Sequence, residues 1–376
     1  MTSDWMIYGA CGFTGQLVVA EAVQRGHRPV LAGRSEKKLV PLAEELGLDW
    51  VVVDLHDTSA LTQAVAQVDL VFHAAGPFVH TGDPMLRACL VAGTNYVDIT
   101  GEIFVFEKTF SHDQAAIQRG IALISGVGFD VVATDCLAEH VANQVPNVVE
   151  LEIAVAAISR ASAGTAKTVL EMLPWGGWVR REGELTPYRW GQGARRLPFS
   201  HRELDVLPIP WGDLATGFQT TGAANITTYL ALPKSSIRLL RWMAPLGQRA
   251  LAIKPIRRIF QKWAEKTSHG PDEERRNTKR SYAWARAADG QGREAQAWLE
   301  TSEAYQFTAV SGVRCVERVF QERPQGALTP ALAFGADFVL EIEGTRRFDT
   351  LPGEEILDAD ERRRTQISEE EVLDTN

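Results

Sequence analysis

"YGACGFTG", residues 8–15, begins at the end of the apolar run "WMIYG" (5–9) and leads into the amphipathic stretch "FTGQLVVAEAVQRG" (13–26). Its glycines, Gly9, Gly12 and Gly15, are spaced G-x-x-G-x-x-G. A tight turn from a strand into a helix needs residues without a Cβ, so that the backbone can approach a pyrophosphate whose charge the helix dipole favours. A strand before this loop and a helix after it read as the opening of a βαβ nucleotide site. Gly9, Cys11, Gly12, Phe13, Thr14 and Gly15 are therefore candidate cofactor contacts, with Thr14 adding a hydroxyl donor. The Cys11 thiol reads as a small packed group.

Outward from the loop, strand and helix patterns alternate. "RPVLAG" (28–33), "DWVVVDL" (49–55), "VDLVFHAAG" (68–76), "TNYVDI" (94–99) and "GIALISG" (120–126) are buried-type strands. Helical patterns occupy 35–47, with Ser35 as N-cap, and 58–67, 83–93 and 103–119; Gly26 stops the first helix. Six strands with helices between them predict an α/β fold, a doubly wound parallel Rossmann sheet over residues 1–146.

After residue 146 the pattern changes. "VVELEIAVAAI" (148–158) and "TGAANITTYLALP" (221–233) read as strands, 164–175 as a helix and 177–199 as a loop rich in Gly, Arg and aromatics. Asp289-Gly290 sits between two period-2 runs in 279–301, a hairpin signal. Residues 308–322 read as a helix and "FVLEIEG" (338–344) as a short strand. The prediction for 147–348 is an α+β domain on a mainly antiparallel sheet, serving substrate binding and oligomerisation. Residues 349–376, with ten acids and little apolar content, read as a solvated tail.

The 376 residues carry a net charge of −9, which argues against nucleic acid as the main partner. The cysteines, Cys11, Cys89, Cys136 and Cys315, are scattered without metal-ligand spacing, so no metal site is expected. Neither a bilayer-spanning stretch nor a secretory leader is read, and the expected location is the cytoplasm.

The glycine spacing is shared with short-chain dehydrogenases, which pair it with Y-x-x-x-K. None of the six tyrosines has Lys four residues on; Tyr282 has Arg286. NAD sites usually end the second strand in Asp or Glu, which binds the ribose 2′-hydroxyl. Here the position reads Gly33-Arg34-Ser35, so Arg34 and Lys38, helped by Ser35, are placed to grip a 2′-phosphate. NADP(H) is the expected cofactor. Asp54 is a candidate on the adenine side, and Ala75, Gly76, Pro77 and Phe78 on the nicotinamide side.

A dehydrogenase also needs a proton donor or acceptor near the substrate. "NYVDITGE" (95–102) places Tyr96, Asp98 and Glu102 at the carboxyl end of the fifth strand, where open α/β sheets build their sites. Alternation puts Tyr96 and Asp98 on one face. Asp98 and Glu102 either act on substrate or hydrogen-bond the backbone to shape the loop. Asp130 and Asp135 either line the cleft or cap a helix, and His80 and Lys167 are weaker candidates.

Residues 235–269 stand out in an acidic chain, with eight Lys and Arg against the single acid Glu265 among many large apolar side chains. Pro245 and Pro255 are expected to break the segment into shorter helices. It reads as a covering or homodimer contact, as a peripheral membrane element, or as a dock for an acidic carrier protein.

"YGACGFTG", "LAGRSEKKL" (31–39), "AAGPFVHTGDPMLRACLVAGTNYVDITGE" (74–102) and "SGVGFDVVATD" (125–135) together resemble the saccharopine dehydrogenase-like NADP-binding family. "SAGTAKT" (162–168), "HGPDEERR" (269–276) and "TPALAFGADFVLEIEG" (329–344) extend the resemblance to about Gly344. It is nearest to the bacterial subgroup that includes trans-acting enoyl reductases, although Cys11 replaces a usual Thr and His80-Thr81 stand where Tyr is common. The resemblance implies an active cleft between two domains and NADPH-dependent reduction of a C=C, C=N or C=O bond. The substrate would be a small, lipid-like or carrier-bound molecule. An amino-acid or imine dehydrogenase, with Arg from 179–196 holding a substrate carboxylate, is the rival enzyme reading. A non-catalytic NADPH sensor or lipid-surface protein is a third.

Overall fold

The structure, a computed structural model, describes residues 5–157 and 160–351, with the backbone alone for 244–246. The first sheet grows from short apolar strands, β1 (Trp5–Tyr8), β2 (Val30–Gly33), β3 (Trp50–Val52), β4 (Leu70–His73), β5 (Asn95–Asp98) and β6 (Ala122–Ile124), the central ones buried on both faces and the edge strand β3 largely exposed. Between them run α1 (Phe13–Gln24), α2 (Glu36–Leu46), α3 (Thr58–Val65), α4 (Phe78–Ala92), α5 (Ile103–Phe110) and α6 (Asp113–Arg119). The pattern read as one helix over 103–119 is two, parted at Ser111 and His112.

α7 (Phe129–Ala142) follows, with apolar residues on all sides and burial to match. It lies against the second sheet, so both sheets share one core: Leu70, Phe72 and Ile124 from the first, Val132 and Leu137 from α7, and Ile153 and Leu299 from the second.

The second sheet begins with β7 (Glu150–Ala157) and, after α8 (Ala163–Met172), takes β8 (Gly177–Arg181), β9 (Glu184–Tyr188), β10 (Arg195–Phe199) and β11 (Arg202–Pro208). α9 (Asp213–Thr221), β12 (Asn225–Ala231), α10 (Lys234–Ala252), α11 (Lys254–Thr267) and α12 (Glu273–Thr278) come next. β13 (Arg280–Ala288) and β14 (Glu294–Ser302) form the expected hairpin about Asp289-Gly290. α13 (Ala304–Glu322), β15 (Gly326–Leu328), α14 (Pro330–Phe334) and β16 (Arg346–Phe348) complete the described chain.

Strand order in the first sheet is β15-β6-β5-β4-β1-β2-β3, all parallel. That is a doubly wound Rossmann order with a seventh strand, β15, contributed from far downstream. The second sheet runs β10-β11-β12-β7-β13-β14-β16, with β8 on β12 and β9 on β8. Only β12 and β7 pair in parallel there; the other pairs are antiparallel.

Three expectations are corrected. The stretch 177–199 is not a loop but three strands, β8, β9 and β10. The Arg, Glu and Pro of β9 and β10 are what exposed edge strands carry, and β8 between β12 and β9 is only five residues long, which hid them. "FVLEIEG" is not a strand: Phe338–Glu341 form a 3₁₀ turn that buries Phe338 and Val339 and leaves Leu340 exposed. α10 runs unbroken across position 245, and the chain bends at Ile253 instead, where Pro255 starts α11. The acidic tail from residue 352 lies outside the described residues; before it, Asp349 reaches His140 at 2.6 Å.

Candidate functional site at the carboxyl edge of the Rossmann sheet

The turn from β1 into α1 is as tight as its glycines allow. Gly9 has φ +91°, and a Cβ there would lie 2.9 Å from the backbone of Ala74 and Ala75. A Cβ on Gly15 would strike the Gly9 carbonyl, and the Gly12 N–H already donates to that oxygen at 2.9 Å. α1 starts at Phe13 with no side chain capping it. Its first-turn N–H groups therefore sit beside a backbone cradle that a Cβ would fill, which suits a pyrophosphate. The free Cys11 thiol is half-buried within this loop; burial pushes it up, and Lys38 draws it back.

At the end of β2, Gly33 has open space around its Cα, and Arg34 and Lys38 are exposed. Ser35 starts α2 without capping it, so its hydroxyl is not spent on the helix. Arg34 lies near the Tyr8 hydroxyl, which donates to Val53 at 3.1 Å; burial, then Asp54, push that phenol up to about 12, against Arg34. Asp54 accepts from the His56 N–H at 2.9 Å and is otherwise exposed.

Beyond β4 the chain passes through Ala75, Gly76 and a cis Gly76–Pro77 bond into α4. His73 is fully buried, stacked on Tyr8 at 5.4 Å, and burial lowers it to about 3, so it is a neutral ring. Glu102, the N-cap of α5, accepts the N–H groups of Phe78 (2.8 Å) and Val79 (2.7 Å) and the Thr168 hydroxyl (3.2 Å). Burial pushes Glu102 up, and these bonds oppose it.

Asp98 shares a strand face with Tyr96, whose hydroxyl donates to it at 2.7 Å. It also accepts from the Ser125 hydroxyl (2.9 Å) and the N–H groups of Thr100 (2.9 Å) and Gly126 (3.0 Å). Both Asp98 oxygens are thus engaged, and Tyr96, Asp98 and Glu102 are all buried. In this geometry they hold three loops together.

The second sheet's helices close over this edge. Ser162 caps α8, and its N–H donates to the Tyr305 hydroxyl at 2.7 Å. The Tyr305 ring meets Phe13 of the glycine loop edge-on at 5.1 Å. Gly270, with φ +73°, lies flat on the other side of Phe13, and Arg276 lies 5.9 Å from the same ring. Thus "SAGTAKT" and "HGPDEERR" converge on "YGACGFTG". Tyr305 and Thr168 were missed in the sequence because nothing local distinguishes them; only tertiary closure does.

Two further acids are buried behind this edge: Asp130, which lies against Gly101, and Asp213, whose charge acts on Asp130. Burial raises both, Asp130 well above the carboxylate range and Asp213 to about 7. Asp135, which had been weighed as a cleft residue, instead accepts from Thr220 (2.6 Å) and Ala331 (2.9 Å) and anchors α9 and α14. Of the arginines in 179–196, four are engaged: Arg180 with Glu107, Arg181 with Thr227, Arg195 with Glu152 and Arg196 with Glu203, while Arg189 is exposed. Among the described residues, no helix is long and apolar enough to cross a membrane and no group of His, Cys, Asp and Glu is placed to hold a metal.

Residues 5–124 match the family model of the saccharopine dehydrogenase NADP binding domain. A trans-acting enoyl reductase of Mycobacterium ulcerans is 33% identical over 144 residues, 36% of this chain and 34% of the relative. A saccharopine dehydrogenase-like oxidoreductase of Bos taurus is 29% identical over 152 residues, 35% of each chain. Each match spans about a third of the curated relative's length. Among solved structures, saccharopine dehydrogenase (L-Glu forming) of Saccharomyces cerevisiae superposes with a TM-score of 0.61 at 12% identity, over 92% of this chain and 99% of that one. Homospermidine synthase of Legionella pneumophila gives 0.59 at 10%, over 93% and 92%. These likenesses extend the fold across both sheets. Residues 5–124 are thus similar to the saccharopine dehydrogenase NADP binding domain, with a nicotinamide dinucleotide as cofactor, and the chain has the saccharopine dehydrogenase fold.

Proposed function

We propose that this protein is an NADP(H)-dependent oxidoreductase acting on a C=C bond of a lipid-like or carrier-bound organic substrate. The observation that carries the cofactor preference is the end of β2, where Gly33 replaces the usual carboxylate and Arg34, Ser35 and Lys38 stand ready for a 2′-phosphate. The backbone of Gly9, Cys11, Gly12, Phe13, Thr14 and Gly15 holds the pyrophosphate, Asp54 sits on the adenine side, and Ala75, Gly76, Pro77 and Phe78 line the nicotinamide side. When bound, the cofactor supplies the hydride. Tyr96, Asp98 and Glu102 act as positioning residues: they fix the loops after β4, β5 and β6 against each other, so that the substrate meets a rigid wall.

The bond type rests on the relatives named trans-acting enoyl reductase. The chain's own contribution is a cleft closed by α8 and Tyr305, which shields the reacting bond from water. Fluorescence titration with NADPH and NADH tests the cofactor preference, which equal or tighter NADH binding would refute. Loss of NADPH absorbance is then followed with enoyl thioesters, free and carrier-bound, against imines and ketones of similar size. Turnover confined to imines would overturn the C=C reading and favour an amino-acid type dehydrogenase.

A further inference from the structure

α11 has two unlike faces. Arg257, Gln261 and Ala264 recur at helical spacing and turn inward onto α8, where Gln261 donates to Glu171 at 2.6 Å and Arg257 pairs with Glu171 at 3.4 Å. Ile259, Phe260 and Trp263 form a second stripe that faces outward, with Ile259 67% and Trp263 63% exposed. α10 repeats this: Leu239, Trp242 and Met243 are spaced i, i+3, i+4, and Trp242 is 80% exposed. An apolar stripe at helical period is ordinarily the buried face of a helix. Here two neighbouring helices turn theirs outward, and exposed cations flank them: Arg238 and Arg241 on α10, Arg258, Lys262 and Lys266 on α11.

We propose that the α10–α11 hairpin is an interfacial element that docks the protein on an anionic lipid surface. Charge selects the occupant. The segment 235–269 holds eight Lys and Arg against one acid, in a chain of net charge −9, so the attraction to an anionic surface is local to this hairpin. A second copy of the same face would set cations against cations. An acidic protein would satisfy the cations but would leave the Trp and Phe rings without an apolar region to enter. The headgroup and acyl boundary of an anionic bilayer accepts both. α11 is also one wall of a cavity of about 490 Å³ that reaches Pro77 and His80 at the start of α4. Arg258 and Lys262 line this cavity too, so the basic edge of the outward face borders a groove that reaches the start of α4. The proposal does not rest on the reductase reading, because vesicle binding needs no substrate.

The test is flotation of the full chain with vesicles of phosphatidylcholine alone and of an equal mixture with phosphatidylglycerol. Flotation is expected to be roughly tenfold greater with the anionic vesicles and to fall as salt rises. The double variant Trp242→Ser/Trp263→Ser and the double variant Arg258→Glu/Lys262→Glu should each lose about tenfold or more. All four positions are exposed, so the thermal midpoint should hold in both. Flotation that ignores lipid charge, or that survives both double variants, overturns the proposal. So does a wild-type dimer that the Trp variant converts to monomer, which assigns the face to a second copy. Binding of an acidic carrier protein without vesicle binding assigns it to that partner and equally overturns the lipid reading.

Discussion

Glu102 accepts the backbone N–H of Phe78 at 2.8 Å, and Val79 gives its own N–H to the other oxygen. One carboxylate from the loop after β5 thus caps the helix that follows β4, where no side chain of α4's own N-cap does so. Removing it leaves two N–H groups unpaired near Pro77. Glu102→Ala should cost roughly 1–3 kcal/mol in urea unfolding and weaken NADPH binding, because the nicotinamide wall loosens. Glu102→Gln keeps one acceptor oxygen and should recover part of both losses. Full stability in Glu102→Ala would show that this cap contributes nothing.

The glycines of the loop differ in kind. Gly15→Ala places a Cβ on the Gly9 carbonyl, so NADPH affinity should fall by about tenfold or more as the cradle opens. Gly33→Ala meets nothing within 4 Å and should bind NADPH as the parent does. Isothermal titration of the two variants side by side separates a cradle from an ordinary turn.

Arg34→Ala should weaken NADPH about 10–100-fold while leaving NADH affinity unchanged, as the loss of a charge-assisted phosphate contact would. Gly33→Asp, which restores a carboxylate at the strand end, should move preference toward NADH. Equal losses for both nucleotides in Arg34→Ala would remove the 2′-phosphate assignment.

Cys11→Thr is the mild case. The half-buried thiol has burial raising it and Lys38 lowering it, and no bond of its side chain holds the loop. NADPH affinity should stay within about twofold of the parent, since the loop's hold on phosphate is a backbone matter. A large loss on titration would give the thiol a direct role.

Asp213 sets a pH dependence. Burial, with Asp135 adding to it and Thr134 opposing, raises it from 3.8 to about 7. Between those values the folded state keeps a proton that the unfolded chain has released. Stability therefore falls as pH rises through that window and levels off above it. Asp130 and Asp135 act in the same direction. Asp213→Asn is neutral throughout: its unfolding free energy from urea titration should lose much of that slope and, above pH 7, exceed the parent's by up to about 4 kcal/mol. A parallel pH profile in the variant would exclude Asp213 as the source.

Legibility followed the range of the forces involved. "YGACGFTG" was readable because strand, glycine turn and helix are contiguous, and because Gly33, with Arg34 after it, stands where topology places a carboxylate. The Tyr96 and Asp98 pair was half readable: period-2 alternation put both on one face, but their bonds to Ser125 and Gly126 arise only when β5 lies beside β6. β9 and β10 hid because edge strands are built from residues that also make loops. β15 is three residues, "GAL", and no pattern that short separates a strand from a turn. The burial of Asp130 and Asp213 comes from α7 and α9 packing together, and no local signal marks it.

β15 has a consequence for how the molecule is made. Gly326–Leu328 pair in parallel with Ala122–Ile124, so the first sheet is finished by chain synthesised long after its other six strands. Until then the outer edge of β6 offers unpaired N–H and C=O groups to any strand that comes near. A nascent or truncated chain ending before Gly326 would carry a complete glycine loop and an open, adhesive border. Ligand binding and solubility should thus part company in such fragments, and the excised cofactor domain would fold as an aggregation-prone intermediate rather than as an autonomous module.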